Sequence, residues 1–133
     1  MKSGIFQRWE PPDTMVARYV GHLQVGDIRK AHAEVKASQQ GCRYFLMLID
    51  VSELGSVSGE ARRAMAENGE TAKSLRGTAI VGASFHFRAL GTMVARAVSL
   101  LNRIQDSPTR FFTTETEAAA WLAERRRTLS ESR

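Results

Sequence analysis

Apolar and polar positions along the chain recur with two different periods, and the switches between them mark out its elements. Ile5-Phe6-Gln7-Arg8-Trp9 mixes apolar and polar residues as a strand does, Glu10-Pro11-Pro12-Asp13 breaks it, and Met15-Val16-Ala17-Arg18-Tyr19-Val20 resumes strand composition, closed by Gly21-His22-Leu23. The two runs predict a hairpin. Asp27 stands where a helix cap belongs, and Ile28, Ala31, His32 and Val35 share one face of the helix that follows, which Gln39-Gln40-Gly41-Cys42 ends. Tyr44-Phe45-Leu46-Met47-Leu48-Ile49 is a continuous apolar run, the pattern of a central strand covered on both faces, and it ends in Asp50-Val51-Ser52. After a small loop Ser58 caps a second helix, with Ala61, Ala64, Met65, Asn68 and Ala72 along its inner stripe.

Thr78-Ala79-Ile80-Val81-Gly82-Ala83 predicts another buried strand, and Ser84 caps a long third helix. Leu90, Met93, Val94, Ala97, Val98, Leu101 and Ile104 form the inner stripe of that helix, Arg88, Arg96 and Arg103 occupy another face, and Pro108 stops it. Arg110-Phe111-Phe112 is a short last strand. Thr114-Glu115-Thr116-Glu117 fits a capping box, and the final helix turns Ala118, Trp121 and Leu122 inward. The order ββαβαβαβα predicts an α/β fold: a single mixed, mostly parallel sheet of about five strands with about four helices, the opening hairpin supplying the antiparallel pair.

Composition narrows the class. A chain of 133 residues, 43% hydrophobic and 25% charged, buries roughly two-thirds of its unfolded surface and needs no staple. With no repeat, low-complexity tract or linker, residues 1–133 read as a single domain with a short flexible C-terminal tail at about 128–133. A lone cysteine, Cys42, excludes an internal disulfide, no apolar run reaches the roughly 18–20 residues of a membrane span, and the first residues lack a signal-peptide apolar region. The expectation is a cytoplasmic protein.

The formal net charge is +5. Residues 76–133 hold nine arginines against five acidic side chains, and Arg125, Arg126, Arg127 and Arg133 belong to the end of the chain. Cations at the end of a helix oppose its dipole and need no partner, so this cluster reads as a solvated face. No zinc-finger spacing, RNA-binding motif or basic heptad accompanies it, which weighs against nucleic acid.

The element order, with the segments that fill it, resembles the STAS-like superfamily, specifically its SpoIIAA-like branch. The resemblance is carried by Gly21-His22-Leu23, by Tyr44-Phe45-Leu46-Met47-Leu48-Ile49-Asp50-Val51-Ser52, and by Glu60-Ala61-Arg62-Arg63. It continues through Ala79-Ile80-Val81-Gly82-Ala83-Ser84 with Arg88, and ends with Phe111-Phe112, Glu117-Ala118 and Ala120-Trp121-Leu122. It implies a small binding and regulatory module without an enzymatic activity; STAS domains often act as anti-sigma-factor antagonists or as regulatory parts of transporters and sensors. Antagonists of that kind carry a phosphorylatable serine at the start of the helix after the central strand. Here that position falls near Gly59 or Glu60, neither of which accepts phosphate, and Ser56 or Ser58 substitutes only if the loop is shifted. The same resemblance makes Glu60, Arg62 and Arg63 candidates for contact with a protein partner.

Candidate chemistry is sparse. Cys42 has Arg43 beside it, but no spacing brings a histidine to it as a base. His22, His32 and His86 are not spaced as metal ligands, no cofactor motif is present, and His32 falls on an apolar stripe where a core histidine is the commoner explanation. Ser84 sits on a strand-to-helix turn like a hydrolase nucleophile, but Phe85 and His86 stand where that turn needs glycine, and His86 is poorly placed as its base. No residue is therefore assigned a catalytic role. In a parallel sheet the loops beyond the carboxyl ends of the strands form the usual ligand crevice, and strand order assigns Asp50, Ser52, Ser56, Ser58, Ser84 and Arg88 to that edge as a candidate anion or nucleotide site. The long helix is apolar around more of its circumference than one sheet face requires, which core burial, self-association as a homodimer or a sheltered ligand would each use. The leading expectation is a non-enzymatic regulatory module with a protein partner. A carrier of a small apolar or amphipathic ligand beneath the long helix stands second, and an enzyme is a distant third.

Overall fold

The computed structural model describes residues 2–67, 69–104 and 106–131. β1 (Gly4–Glu10) and β2 (Thr14–Leu23) pair antiparallel, from Gly4 opposite Val20 to Glu10 opposite Thr14, as the alternation around the proline break predicts. α1 (Val25–Gln39) leads to β3 (Phe45–Val57), α2 (Gly59–Ala66) and α3 (Gly69–Lys73) lead to β4 (Leu75–Val81), α4 (Phe85–Asn102) to β5 (Thr109–Phe112), and α5 (Glu115–Glu131) closes the chain. The sheet runs β1-β2-β3-β4-β5, every neighbour pair after the first parallel. The fold class is the one the pattern predicts.

Four local expectations change. The second helix divides into α2 and α3, making five helices; Asn68, expected on its inner stripe, lies outside the described residues. The helix expected to open at Asp27 starts at Val25, with Gln24 as its cap, and Asp27 completes the turn by accepting the Gln24 backbone N–H at 2.8 Å. α4 ends at Asn102 on a left-handed Arg103 (φ 54°), ahead of Ile104 and Pro108. The small loop placed before Ser58 is strand, because β2 continues beside β3 as far as Leu23 opposite Val57. The capping box of the last helix forms as read, Thr114 N donating to Glu117 Oε1 and Glu117 N to Thr114 Oγ1.

Alternation along β3 divides the core. Leu46 and Leu48 turn to one face, where Ala79 and Val81 meet Ala118, Leu122 and Trp121 of α5. Phe45, Ile49 and Val51 turn to the other with Met15 and Ala17, and there α1 adds Val35 and Ile28 while α2 adds Ala61. One helix thus covers one face, and α1, α2 and α4 share the other.

The arginine-rich end is a solvated face only in part: Arg127 is exposed and Arg133 lies outside the described residues, but Arg125 and Arg126 are engaged. Arg126 sends Nε to Asp13 Oδ2 at 2.8 Å and a terminal nitrogen to Asp13 Oδ1 and Thr14 Oγ1, both at 3.0 Å. Arg125 donates to the Arg76 carbonyl at 2.6 Å and pairs with Asp106 at 2.8 Å. α5 runs to Glu131, so residues 128–131 of the segment expected as a tail are helical, and Leu129 packs against the core. Asp13 itself is buried; burial pushes its carboxyl up, but hydrogen bonds from Arg126, Thr14 and Tyr44 and the Arg126 charge outweigh it, so the group ends below the ordinary carboxylate value.

A carboxylate lowered on folding contributes stability in full above its unfolded pKa of about 3.9, and loses it as pH falls through the folded value. Arg126→Met should therefore lower stability at neutral pH by about 2–4 kcal/mol, somewhat less than for a fully buried pair because Arg126 is partly exposed. Urea midpoints measured from pH 7 downward should show the gap to the wild type closing in acid. A gap that stayed constant to pH 2 would mean that the pair is not its source.

Candidate functional site

The carboxyl edge of the sheet is staggered. β4 stops at Val81, which lies opposite Asp50, and β5 stops beside it at Phe112, while β3 continues to Val57. At about 3.3 Å per residue, roughly 20 Å of strand separates Ser52 from Ser58. Strand order alone treats all the strands as ending together, which is why it gathers six residues that the fold distributes in two places.

Asp50 and Ser52 stay together: Asp50 Oδ1 accepts the Ser52 backbone N–H at 2.8 Å and its hydroxyl at 2.7 Å. Gly82 presses against them with φ +76°, and a Cβ there would stand 2.8 Å from that of Ser52, so the turn into α4 admits only glycine comfortably. Ser84 then caps α4, its hydroxyl oxygen accepting the Phe87 N–H at 3.3 Å. Arg88 bends back, with Nε 3.4 Å from the Ala83 carbonyl and its guanidinium 5.9 Å from the Phe111 ring centre. Farther along β3, Ser56 meets His22 across the ladder, Oγ to Nδ1 at 2.7 Å, and Ser58 caps α2 by accepting the Ala61 N–H at 3.1 Å. Glu60, Arg62 and Arg63 are exposed on α2, Glu60 and Arg63 flanking a groove against Arg29 and His32 of α1.

Both capping serines thus occupy the first amides of their own helices, and the Asp50 carboxylate puts a like charge beside any anion. The His22–Ser56 contact is a serine–histidine pair that no spacing in the sequence announces, since it depends on the register of β2 and β3. Both residues are exposed, and among the described residues no carboxylate is hydrogen-bonded to the ring. Ser84 has no hydrogen bond to His86, which lies edge-on to Phe87. Cys42 rests 3.7 Å from the Pro12 carbonyl. Among the described residues no group of three His, Cys, Asp or Glu side chains gathers as a metal site.

The opposite face holds what the sequence showed only as a surplus. Not one residue of α4 is buried. Met93 and Leu101, expected inside, are 67% and 65% exposed, and Phe85 and Leu100 are more exposed still. α4 approaches the sheet at Gly91, where a Cβ would stand 3.1 Å from the Phe111 ring and 3.5 Å from Ile80, and it packs beside α2 and α3. The space beneath is a half-open pocket of about 180 Å³, walled by Tyr19, Met47, Ile49 and Ile80 of the sheet, by Val35 of α1, and by Leu90, Val94 and Val98 of α4. Helical periodicity located the apolar stripe but carried no information on how far the helix stands from its sheet.

Residues 18–126 match the family described as Domain of unknown function (DUF7793). Among solved structures, the chain is similar to an uncharacterized protein from the DUF3478 family with a SpoIIAA-like fold from Shewanella loihica PV-4. The two share 22% identity at a TM-score of 0.66, over 92% of this chain and 98% of that one. It is also similar to the anti-sigma factor antagonist SpoIIAA in its unphosphorylated form, at 11% identity and a TM-score of 0.60, over 91% and 98% of the two chains. No curated protein matches it. At these identities the likeness establishes the fold alone, an α/β SpoIIAA-like fold.

Gly82→Ala should lower the melting temperature by the equivalent of about 1–3 kcal/mol, since the left-handed backbone and the Ser52 contact both oppose a Cβ. Ser84→Ala, which removes only a cap, should cost about 1 kcal/mol. Thermal melts of the two variants side by side test the order, and a Gly82→Ala protein as stable as the wild type would refute the tight turn.

Proposed function

This chain belongs to the DUF7793 family, and we propose that it serves as a non-enzymatic regulatory module that binds a protein partner in the cytoplasm. The observation that carries this reading is the uncovered apolar side of α4. Phe85, Met93, Leu100 and Leu101 lie exposed on a helix packed beside α2, whose Glu60, Arg62 and Arg63 are also exposed. Apolar anchors with charged neighbours are the make-up of a protein-binding surface. The SpoIIAA-like fold supports it, one of its similar structures being an anti-sigma factor antagonist. Among the described residues no helix is long and apolar enough to cross a membrane.

Regulation in this chain differs from the antagonist pattern. Gly59 and Glu60 begin α2 where that pattern has its serine, and the Ser58 hydroxyl is engaged as a cap. Glu60 keeps a fixed negative charge at the helix start. Ser84 and Arg88, at the start of α4, then stand at the polar margin of the contact surface. The pocket beneath α4 favours a second reading, in which the domain holds a small apolar ligand.

Affinity capture with the wild type, Leu101→Glu and Arg62→Glu tests the first reading. A protein recovered by the wild type, lost from both variants and bound at least tenfold more weakly by each after purification is the expected result. Equal recovery by all three chains would sink it. Sedimentation of the free wild type separates a foreign partner from a second copy, since a homodimer broken by Leu101→Glu would show that the surface pairs with itself.

A further inference from the structure

Residues 71–105 contain no aspartate or glutamate, while Lys73, Arg76, Arg88, Arg96 and Arg103 fall among them. α4 lies inside this stretch, so the whole helix carries cations and no carboxylate. At about 100° per residue, Phe85, Ala89, Met93, Arg96 and Leu100 share an arc of about 80°, and all five are exposed. The row they form is about 22 Å long, at about 1.5 Å per residue from Phe85 to Leu100. Arg96 stands within it, one helical turn from Met93 and one from Leu100. Arg88 bends back over Phe111, but among the described residues the Arg96 and Arg103 side chains have no acidic partner. Asp106, the first carboxylate after the helix, is paired with Arg125. The neighbouring α2, with its cap, and α3 set Glu60, Glu67 and Glu70 against Arg62, Arg63 and Lys73, and so lend no net negative charge.

We propose that this row docks an acidic amphipathic helix of a partner protein, whose apolar side chains cover Phe85, Met93 and Leu100 and whose carboxylates answer Arg96 and Arg103. The proposal rests on the protein-partner reading above and adds to it the charge and shape of the partner. Charge selects the occupant. A second copy related by a two-fold axis would set arginine near arginine: Arg96 against Arg96 if the helices run parallel, Arg96 against Arg88 if they run antiparallel, with no carboxylate on either helix between them. A bilayer would have to take Arg96 in along the apolar row, whereas the basic side chains of membrane-surface helices stand on the opposite, polar face. A nucleic-acid backbone would use the guanidinium groups and leave Phe85, Met93 and Leu100 in water. An acidic helix meets both features at once. A straight apolar row along a helix suits a second helix laid against it, and a carboxylate opposite Arg96 pairs a cation that no described acid answers.

The probe is a displayed library of helical peptides of roughly 20 residues, with leucine fixed along one face and Glu, Lys or Gln free at the flanking positions, selected against the full chain. Selected sequences should be rich in glutamate. A purified acidic peptide should bind at least tenfold more tightly than its lysine counterpart, and the difference should shrink as salt rises. Arg96→Glu, a change on an exposed side chain, should weaken the acidic peptide at least tenfold. Selection against a chain carrying both Arg96→Glu and Arg103→Glu should recover lysine-rich sequences instead, and Leu100→Glu should leave none. Peptides without charge preference that Leu100→Glu still abolishes would overturn the acidic partner while leaving the protein-binding surface intact. No selected peptide, or peptides that Leu100→Glu retains, would overturn both. A wild-type chain that sediments as a dimer and is dissociated by Leu100→Glu would give the row to a second copy. Pelleting with phosphatidylserine vesicles, lost in Arg96→Glu, would give it to a membrane. Either of these last results overturns the acidic helix.

Discussion

The bidentate pair between Asp13 and Arg126 joins the first turn of the chain to its last helix, and much of the architecture is arranged around it. Asp13 also accepts the Tyr44 hydroxyl at 2.9 Å and the Thr14 hydroxyl at 2.8 Å, and its backbone carbonyl takes the Leu46 N–H at 2.8 Å. The entrances of β2 and β3 and the far end of α5 therefore meet at one carboxylate. A charge so placed tolerates burial only because every side of it is answered, and the planar arginine fork answers two sides at once. That attachment holds α5 in register over Leu46, Leu48, Ala79 and Val81.

The two faces of the sheet consequently differ in kind. Under α5 the packing is closed, with Ala118 and Leu122 buried and Trp121 tilted against Phe112 at a ring separation of 5.8 Å. Under α4 the described residues hold nothing equivalent to the arginine clasp: a capping serine holds its start, Gly91 allows one close approach to the sheet, and a half-open pocket lies beside it. The closed packing and the proposed recognition surface thereby lie on opposite faces of the sheet. A partner or ligand of the proposed kind would meet α4 on the side of the sheet away from the cluster that α5 closes.

The parts legible in the sequence were those with a local cause. The alternation of β1 and β2, the apolar run of β3, the caps at Ser58 and Ser84 and the box from Thr114 to Glu117 each follow from a few adjacent residues. What was hidden depends on residues far apart. Arg126 looked like a dipole-matched surface arginine because Asp13 lies 113 positions away. The stagger of β3 past β4 is a property of two strands together, and it separates Ser52 from Ser58. The stripe of α4 has the pattern of a core helix, but periodicity reports direction and not distance, and Met93 and Leu101 are exposed.

The order of the strands in the sheet repeats their order in the chain, and this has a kinetic consequence. Each strand finds its partner after closing a loop of modest length, which lowers the entropic toll of assembling the sheet step by step. The Asp13–Arg126 clasp spans nearly the whole chain, so it gains its geometry only when the rest is in place. An interaction made after the rate-limiting step leaves the speed of folding nearly unchanged and slows escape from the native state. The clasp is then less a scaffold than a latch: it governs how long the folded molecule lasts once formed, while the sequential sheet governs how quickly it forms.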